Sequence, residues 1–184
     1  MRRLLLAAIL LAAAPSVFAT VLVPASFQEL VLQSPVIVRG RVVDVRAAWA
    51  DGRRRVETVV TFNAEQYLKG QLGSQIVFKV PGGQLGRYRT FMVGAPVFRV
   101  GDEAVLFLTR NGRSNPVVVG LNQGVFRIRA DRATGRTLIR APASMAVGPR
   151  DDRRRERPVL HEPIEVDAFT AAVRRVLAGA GGAR

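Results

Sequence analysis

The apolar positions divide the chain into an opening run without period, a long stretch of strand-like period and a closing stretch of helical period. Leu4 to Ala14 is an unbroken apolar run of 11 residues. Further on, Ser26-Phe27-Gln28-Glu29 has the pattern of a capping box, in which the Ser26 hydroxyl accepts from the Glu29 N–H and the Glu29 carboxylate reaches back to Ser26. Phe27, Leu30 and Val31 then share one face of a short helix ending near Gln33, and Pro35 closes it. From Val36 the period becomes two. Val36 to Arg46 is a long β-branched run, Asp51-Gly52 is a turn, and Val56 to Tyr67 returns as the second arm of a hairpin that Leu68-Lys69-Gly70 ends.

Gln75 to Val80 alternates cleanly, with Ile76, Phe78 and Val80 on one side and Gln75 and Lys79 on the other. Pro81-Gly82-Gly83 breaks it. Arg87 to Val93 and Val97 to Val100 read as short strands around Gly94-Ala95-Pro96, and Ala104 to Leu108 is apolar on both faces, as a central strand should be. Asn111-Gly112 marks a turn, followed by strands at Pro116 to Gly120, Val125 to Ala130 and Arg136 to Arg140, with Asp131 to Gly135 turning the chain before the last. About eight short strands at roughly ten-residue spacing predict an all-β fold, a closed or nearly closed OB-like β-barrel, with a short N-terminal helix and a C-terminal helix. Residues 20–140 would form this domain. A charged linker at 141–162 follows, then a helix over 163–179 in which Val166, Phe169, Val173, Val176 and Leu177 lie at helical spacing with Gly179 as its stop, and a disordered tail at 180–184.

The opening run changes the picture of where this domain works. Arg2 and Arg3 precede it, and Val17 and Ala19 are the small residues at the positions a signal peptidase reads, which predicts a secretory signal peptide cleaved after Ala19. Eleven apolar residues fall well short of the ~20 that span a bilayer, so no transmembrane segment is expected after cleavage. The expected location is the periplasm or the extracellular space. The absence of cysteine excludes disulfides, a thiol nucleophile and thiolate metal sites, leaving the core alone to hold an exported domain. The formal charge of +14 becomes about +12 without Arg2 and Arg3, and nearly all of it is arginine, since Lys69 and Lys79 are the only lysines. Such a charge attracts anionic lipid, acidic envelope polymers or nucleic acid; export makes nucleic acid the unlikely partner of the three and leaves peripheral membrane contact open.

Ser34-Pro35-Val36-Ile37-Val38-Arg39-Gly40-Arg41-Val42, a Thr-rich second strand, Leu68-Lys69-Gly70 and Gly101-Asp102-Glu103-Ala104-Val105-Leu106-Phe107-Leu108 follow one another in an order that resembles the netrin-like (tissue-inhibitor-of-metalloproteinase-like) OB-barrel modules. The chain is also similar to a group of exported bacterial proteins carrying Pro-Gly-Gly and Gln-Gly pieces, as Pro81-Gly82-Gly83 and Gln123-Gly124 do here. The resemblance covers Phe27 to Ile128. It implies an OB-like barrel and admits a protease-inhibitor-like role. The inhibitors, however, chelate the target's zinc through a disulfide-held N-terminal cysteine, whereas this chain has no cysteine and its expected mature end is Thr20.

No arrangement of residues points to bond-making chemistry. His161 is the only histidine and no Gly-x-Ser-x-Gly elbow accompanies it. Asp51 and Asp131 sit in turns, Asp102-Glu103 opens the central strand, and Asp151-Asp152 lies among arginines; each reads as structural. Gly82, Gly83 and Gly86 lack the following helix and Lys-Ser/Thr of a phosphate loop. No catalytic, cofactor-binding or metal-binding residue is therefore expected. The candidate surface for an anionic partner is basic: Arg53, Arg54 and Arg55 at the hairpin tip, Arg87, Tyr88 and Arg89 with an aromatic between two guanidinium groups, and Arg127 and Arg129 on the polar face of one strand. The expectation is an exported, non-enzymatic binding module acting through the barrel face and the loops Gly82 to Gly94 and Gln123 to Arg129, with a polyanion or nucleic-acid binder and an inhibitor-like protein as alternatives.

Overall fold

A computed structural model describes residues 25–110, 115–132, 134–142 and 163–181. The leader with its cleavage site, the Asn111-Gly112 turn, His161, Asp151-Asp152 and nearly all of the charged linker lie outside the described residues. The capping box forms as expected: the Glu29 N–H donates to Ser26 Oγ at 3.2 Å and the Ser26 N–H to Glu29 Oε2 at 2.7 Å, opening helix α1, Phe27–Gln33. A hairpin of two long strands follows, β1 (Val36–Ala50) and β2 (Arg55–Lys69), then β3 (Gln75–Pro81) with the predicted alternation of buried and exposed positions. A small separate hairpin, β4 (Gly83–Leu85) and β5 (Tyr88–Thr90), precedes β6 (Glu103–Thr109). The chain ends with β7 (Val117–Val118), β8 (Val125–Ala130), β9 (Thr137–Arg140), β10 (Ile164–Glu165) and helix α2 (Val166–Gly181).

All pairings are antiparallel, and the main sheet runs β10-β9-β8-β6-β1-β2-β3 with β7 paired to β6 beside β8. The expected closed barrel is corrected here: the sheet is not closed, and β3 and β10 are its edges. Residues of β3 come within 8 Å of β7, yet no ladder joins them among the described residues. The two residues of β7 are too few to offer β3 a continuous row of donors and acceptors. Register shifts at Ile37/Val38, Arg39/Gly40 and Val42/Asp44 bend β1, which pairs with both β2 and β6 up to Arg41 and with β2 alone beyond it.

That bend wraps the sheet around one core, and the helices cover a second. Val38, Val42, Phe62, Phe78, Leu106 and Val125 meet on the inner face, joined by Phe98 from the loop before β6. Ile37, Val105, Phe107, Phe126 and Ile128 face the other way, against Leu30 and Val31 of α1 and Phe169 and Val173 of α2. Phe27, Phe107, Phe126 and Phe169 form a cluster of edge-to-face and tilted rings with centroids 5.0–6.4 Å apart. Lys69 closes the end of α1, donating from Nζ to the carbonyls of Val31 at 2.9 Å and Leu32 at 3.0 Å, and its burial there pushes its pKa down.

Several expected elements differ. β1 and β2 extend to Ala50 and from Arg55, because Trp49 and Val56 are covered by the β4–β5 hairpin. Of the two short strands expected here, Arg87 to Val93 shortens to β5 (Tyr88–Thr90), and Val97 to Val100 belongs to a loop running from Phe91 to Val100. A turn at Met92–Ala95 cuts the first short, and the Arg99 N–H of the second is taken by Asp102. The Pro116 to Gly120 strand shortens to Val117–Val118 because Gly120 and Leu121 both take positive φ. Strand β10 was not foreseen, and α2 runs past Gly179 to Gly181.

Gly40 leaves no room for a side chain between β1 and β2: a methyl group there would overlap the Asn63 carbonyl oxygen and meet the Phe62 ring at 2.9 Å. Gly40→Ala is expected to cost about 3 kcal/mol or more in urea unfolding. Gly179→Ala, where a methyl meets nothing within 4 Å on an exposed stretch of α2, should stabilise by about 0.5–1 kcal/mol.

Candidate basic binding surface

Asp102, immediately before β6, is buried, and it organises the arginines of β8. Arg127 and Arg129 alternate with the core residues Phe126 and Ile128 and so leave the helix-covered face on the same side. Arg127 Nη1 donates to Asp102 Oδ2 at 3.0 Å and Arg129 Nη2 to Oδ1 at 2.9 Å, while the Arg99 N–H donates to Oδ2 at 2.9 Å. The second Arg127 nitrogen donates to the Val97 carbonyl, and its guanidinium lies 5.4 Å from the centre of the Phe98 ring. The main chain of Asp102 joins in, its carbonyl accepting from the Val42 N–H at 2.9 Å. Burial pushes the Asp102 carboxyl up, but the hydrogen bonds from Arg129 and the Arg99 N–H and the charges of Arg127 and Arg129 together outweigh it and hold the carboxyl below its ordinary range.

Arg127 stands directly opposite Arg140 of β9 in the register. Like charges in that position repel, and among the described residues Arg140 has no ion-pair partner. Arg127, Arg129 and Arg140 line an open depression of about 460 Å³ with Asn122, Val125, Ala141 and Pro142. Three guanidinium groups against the single carboxylate of Asp102 leave a net +2 at its wall. Arg127 is 29% exposed and Arg129 49%, so both keep donors toward solvent while Asp102 fixes their direction.

The other predicted residues gather at the far end of the β1–β2 hairpin. The ring of Tyr88 lies 5.0 Å from Trp49, edge to face, and the Thr90 hydroxyl accepts from the Val56 N–H at 2.8 Å. This places Arg87, Tyr88 and Arg89 beside the tip that carries Arg53, Arg54 and Arg55. Arg55 pairs with Asp51, whereas Arg53 and Arg54 have no ion-pair partner among the described residues. The nine residue steps from Arg41 to Ala50 span about 30 Å along the strand, so the basic surface divides into two. Tyr88 is already engaged, with Arg87 5.1 Å from its ring centre and donating to its hydroxyl at 3.0 Å. Trp49 and Arg87 therefore already contact the ring expected to receive a base or sugar, which stays 48% exposed.

Two features read as loop chemistry are structural. Gln123 is buried with its Oε1 accepting from the Ala25 N–H at 2.7 Å, and Gly124 passes its carbonyl to the Phe107 N–H at 2.9 Å. The stretch Gln123 to Arg129 is accordingly mostly strand β8 rather than a binding loop. Pro81-Gly82-Gly83 is held by the Thr58 hydroxyl, which donates to the Gly82 carbonyl at 2.8 Å. Arg140 and the clamping role of Asp102 were missed. The available signal was a carboxylate heading an apolar strand, which requires a cationic partner when buried, together with two arginines two residues apart on one strand face. Among the described residues no three His, Asp or Glu side chains converge as a metal site requires, and no helix is long and apolar enough to cross a membrane. Comparison with protein families, with curated proteins and with solved structures finds no match to this chain.

Because the carboxyl of Asp102 titrates lower in the folded than in the unfolded chain, it stabilises the fold above about pH 4 and loses that contribution as pH falls through its folded value. Asp102→Asn should cost about 1–2 kcal/mol at pH 7, the partly exposed arginines moderating the loss. The gap between variant and wild type should narrow at pH 3. Urea unfolding at both pH values checks this, and an equal gap at the two would refute the assignment.

Proposed function

We propose that this protein is an exported, non-enzymatic binding module of the bacterial cell envelope, and that the Arg127–Arg129–Arg140 depression receives anionic groups of an envelope polymer. The observation carrying this reading is that three guanidinium groups border one open depression, two of them held by the single carboxylate of Asp102 and the third, Arg140, without an ion pair among the described residues. Phosphate, sulfate and sugar carboxylates match planar guanidinium donors in charge and in hydrogen-bond geometry. Fixing Arg127 and Arg129 through Asp102 before binding lowers the entropy lost on association. The depression is wide enough for one such group with part of the residue that bears it.

Export is supported by the charged start, the 11-residue apolar run and the small residues Val17 and Ala19. A finer reading of the fold belongs with this proposal: the curled sheet is an incomplete OB-like barrel of the netrin-like kind. In support, β3 approaches β7 across the shared inner core.

Binding to a soluble polyanion such as dextran sulfate is expected to weaken steeply and linearly in logarithmic terms as salt rises. Arg140→Ala should weaken it about three- to tenfold while leaving unfolding within about 0.5 kcal/mol, since Arg140 holds no ion pair among the described residues. An affinity independent of salt, or unchanged by Arg140→Ala, would remove the reading.

A further inference from the structure

The twenty residues from Gly82 to Gly101 contain Arg87, Arg89 and Arg99 and no acidic residue. Within this segment stand six of the most exposed large apolar side chains of the molecule: Tyr88, Phe91, Met92, Val93, Val97 and Val100. Phe91 is 76% exposed, Val93 82% and Val97 69%. An apolar group left so open on an ordered loop stands out, since scattered exposed residues are ordinary but a continuous patch marks an interaction surface.

The loop is held in this shape rather than hanging free. Phe98 is buried in the inner core, its ring 5.4 Å from that of Phe78, and Pro96 is buried beside it. The Ala95 N–H donates to the Met92 carbonyl at 3.2 Å, and Gly94 takes φ +81°, which places Val93 at the outer corner of a tight turn. The loop departs from the Tyr88–Trp49 pair, with Arg87 and Arg89 exposed beside it, and its Gly94 lies against Leu121. One segment thus carries exposed apolar side chains, an amphipathic aromatic pair and guanidinium groups, the three kinds of group that suit the acyl chains, the interface and the phosphates of a bilayer.

We propose that the Phe91–Val100 loop docks the protein on an anionic phospholipid bilayer. The Phe91–Val93 turn enters the headgroup–acyl boundary, and Arg87, Arg89 and Arg99 pair with lipid phosphates. The absence of any carboxylate from Gly82 to Gly101 removes the repulsion that acidic side chains would meet at such a surface. The lipid contacts of this docking are distinct from the side chains lining the arginine depression, which the loop borders: Arg127 donates to the Val97 carbonyl and the Arg99 N–H to Asp102.

The test is sedimentation with vesicles of phosphatidylcholine alone or with about a third phosphatidylglycerol. It uses the full chain as processed by the expressing cell, with wild type and variants carrying the same N-terminus. The wild type should bind the anionic vesicles, and Phe91→Ser/Val93→Ser should lower the partition coefficient about tenfold or more. Arg140→Ala should bind as the wild type does. In a Trp49→Phe background, Val93→Trp should show a blue-shifted emission quenched by lipid-borne quenchers on vesicle addition. Absence of wild-type binding, binding unchanged by Phe91→Ser/Val93→Ser, or binding lost with Arg140→Ala would each overturn the proposal. So would a dimer in solution, without vesicles, that Phe91→Ser/Val93→Ser dissolves, because the loop would then be a contact between copies. Loss of dextran sulfate binding in Arg140→Ala with vesicle binding intact separates the two sites.

Discussion

β6 has no free face, and the whole molecule is arranged to cover both of its sides. Ala104, Leu106 and Leu108 project into the inner core and Val105 and Phe107 into the core beneath the helices. A chain without cysteine has only such burial to resist unfolding. The sheet therefore has to curl on one side of β6 while α1 and α2 close the other. The bulges of β1 supply the curl, and the phenylalanine cluster fixes the helices. Asp102 sits at the one point where this arrangement meets charge. Its main chain pins the start of β6 to Val42, and its side chain joins the loop before β6 to β8.

Arginine excess meets this scaffold unevenly. The described carboxylates are largely engaged: Glu103 with Arg41, Asp51 with Arg55, Glu57 with Lys79, Glu165 with Arg136 and Asp102 with two partners. Most of these pairs are at the surface and contribute little each to stability. Their effect is spatial. They neutralise the middle of the sheet and leave uncompensated guanidinium groups at the β8–β9 depression and at the tip of the β1–β2 hairpin. Two regions of different polarity result: the depression is polar around its arginines, and the hairpin end combines arginine with aromatic and aliphatic surface.

What could be read from residue order alone was whatever depends on neighbours in the chain. The capping box at Ser26 and Glu29, the alternation of Ile76, Phe78 and Val80, the doubly apolar Ala104 to Leu108 and the stripe of Val166, Phe169 and Val173 all declare themselves locally. Closure of the sheet does not, because it depends on whether β7 is long enough to reach β3 across many intervening residues. Val97-Phe98-Arg99-Val100 has a strand's alternation, but only Phe98 of its apolar residues finds the core, and the Arg99 N–H goes to a side chain instead of a ladder. Ile164-Glu165 is too short to show a period. Arg127 and Arg129 were legible as a basic face, whereas their tether to Asp102 joins residues 25 and 27 positions apart.

An open sheet also leaves a rim. β10 offers only two residues, but β3 presents seven, and its unpaired main chain is a template onto which another extended chain could add. Lys79 projects from the exposed side of that strand and Pro81, without an N–H, ends it. An incoming strand would have to place its own backbone beside an ammonium group and accept a missing donor at the last step. One of the chain's two lysines thus stands on the long rim, paired with Glu57 of the neighbouring strand, and together with Pro81 it makes the addition of a further strand there less favourable.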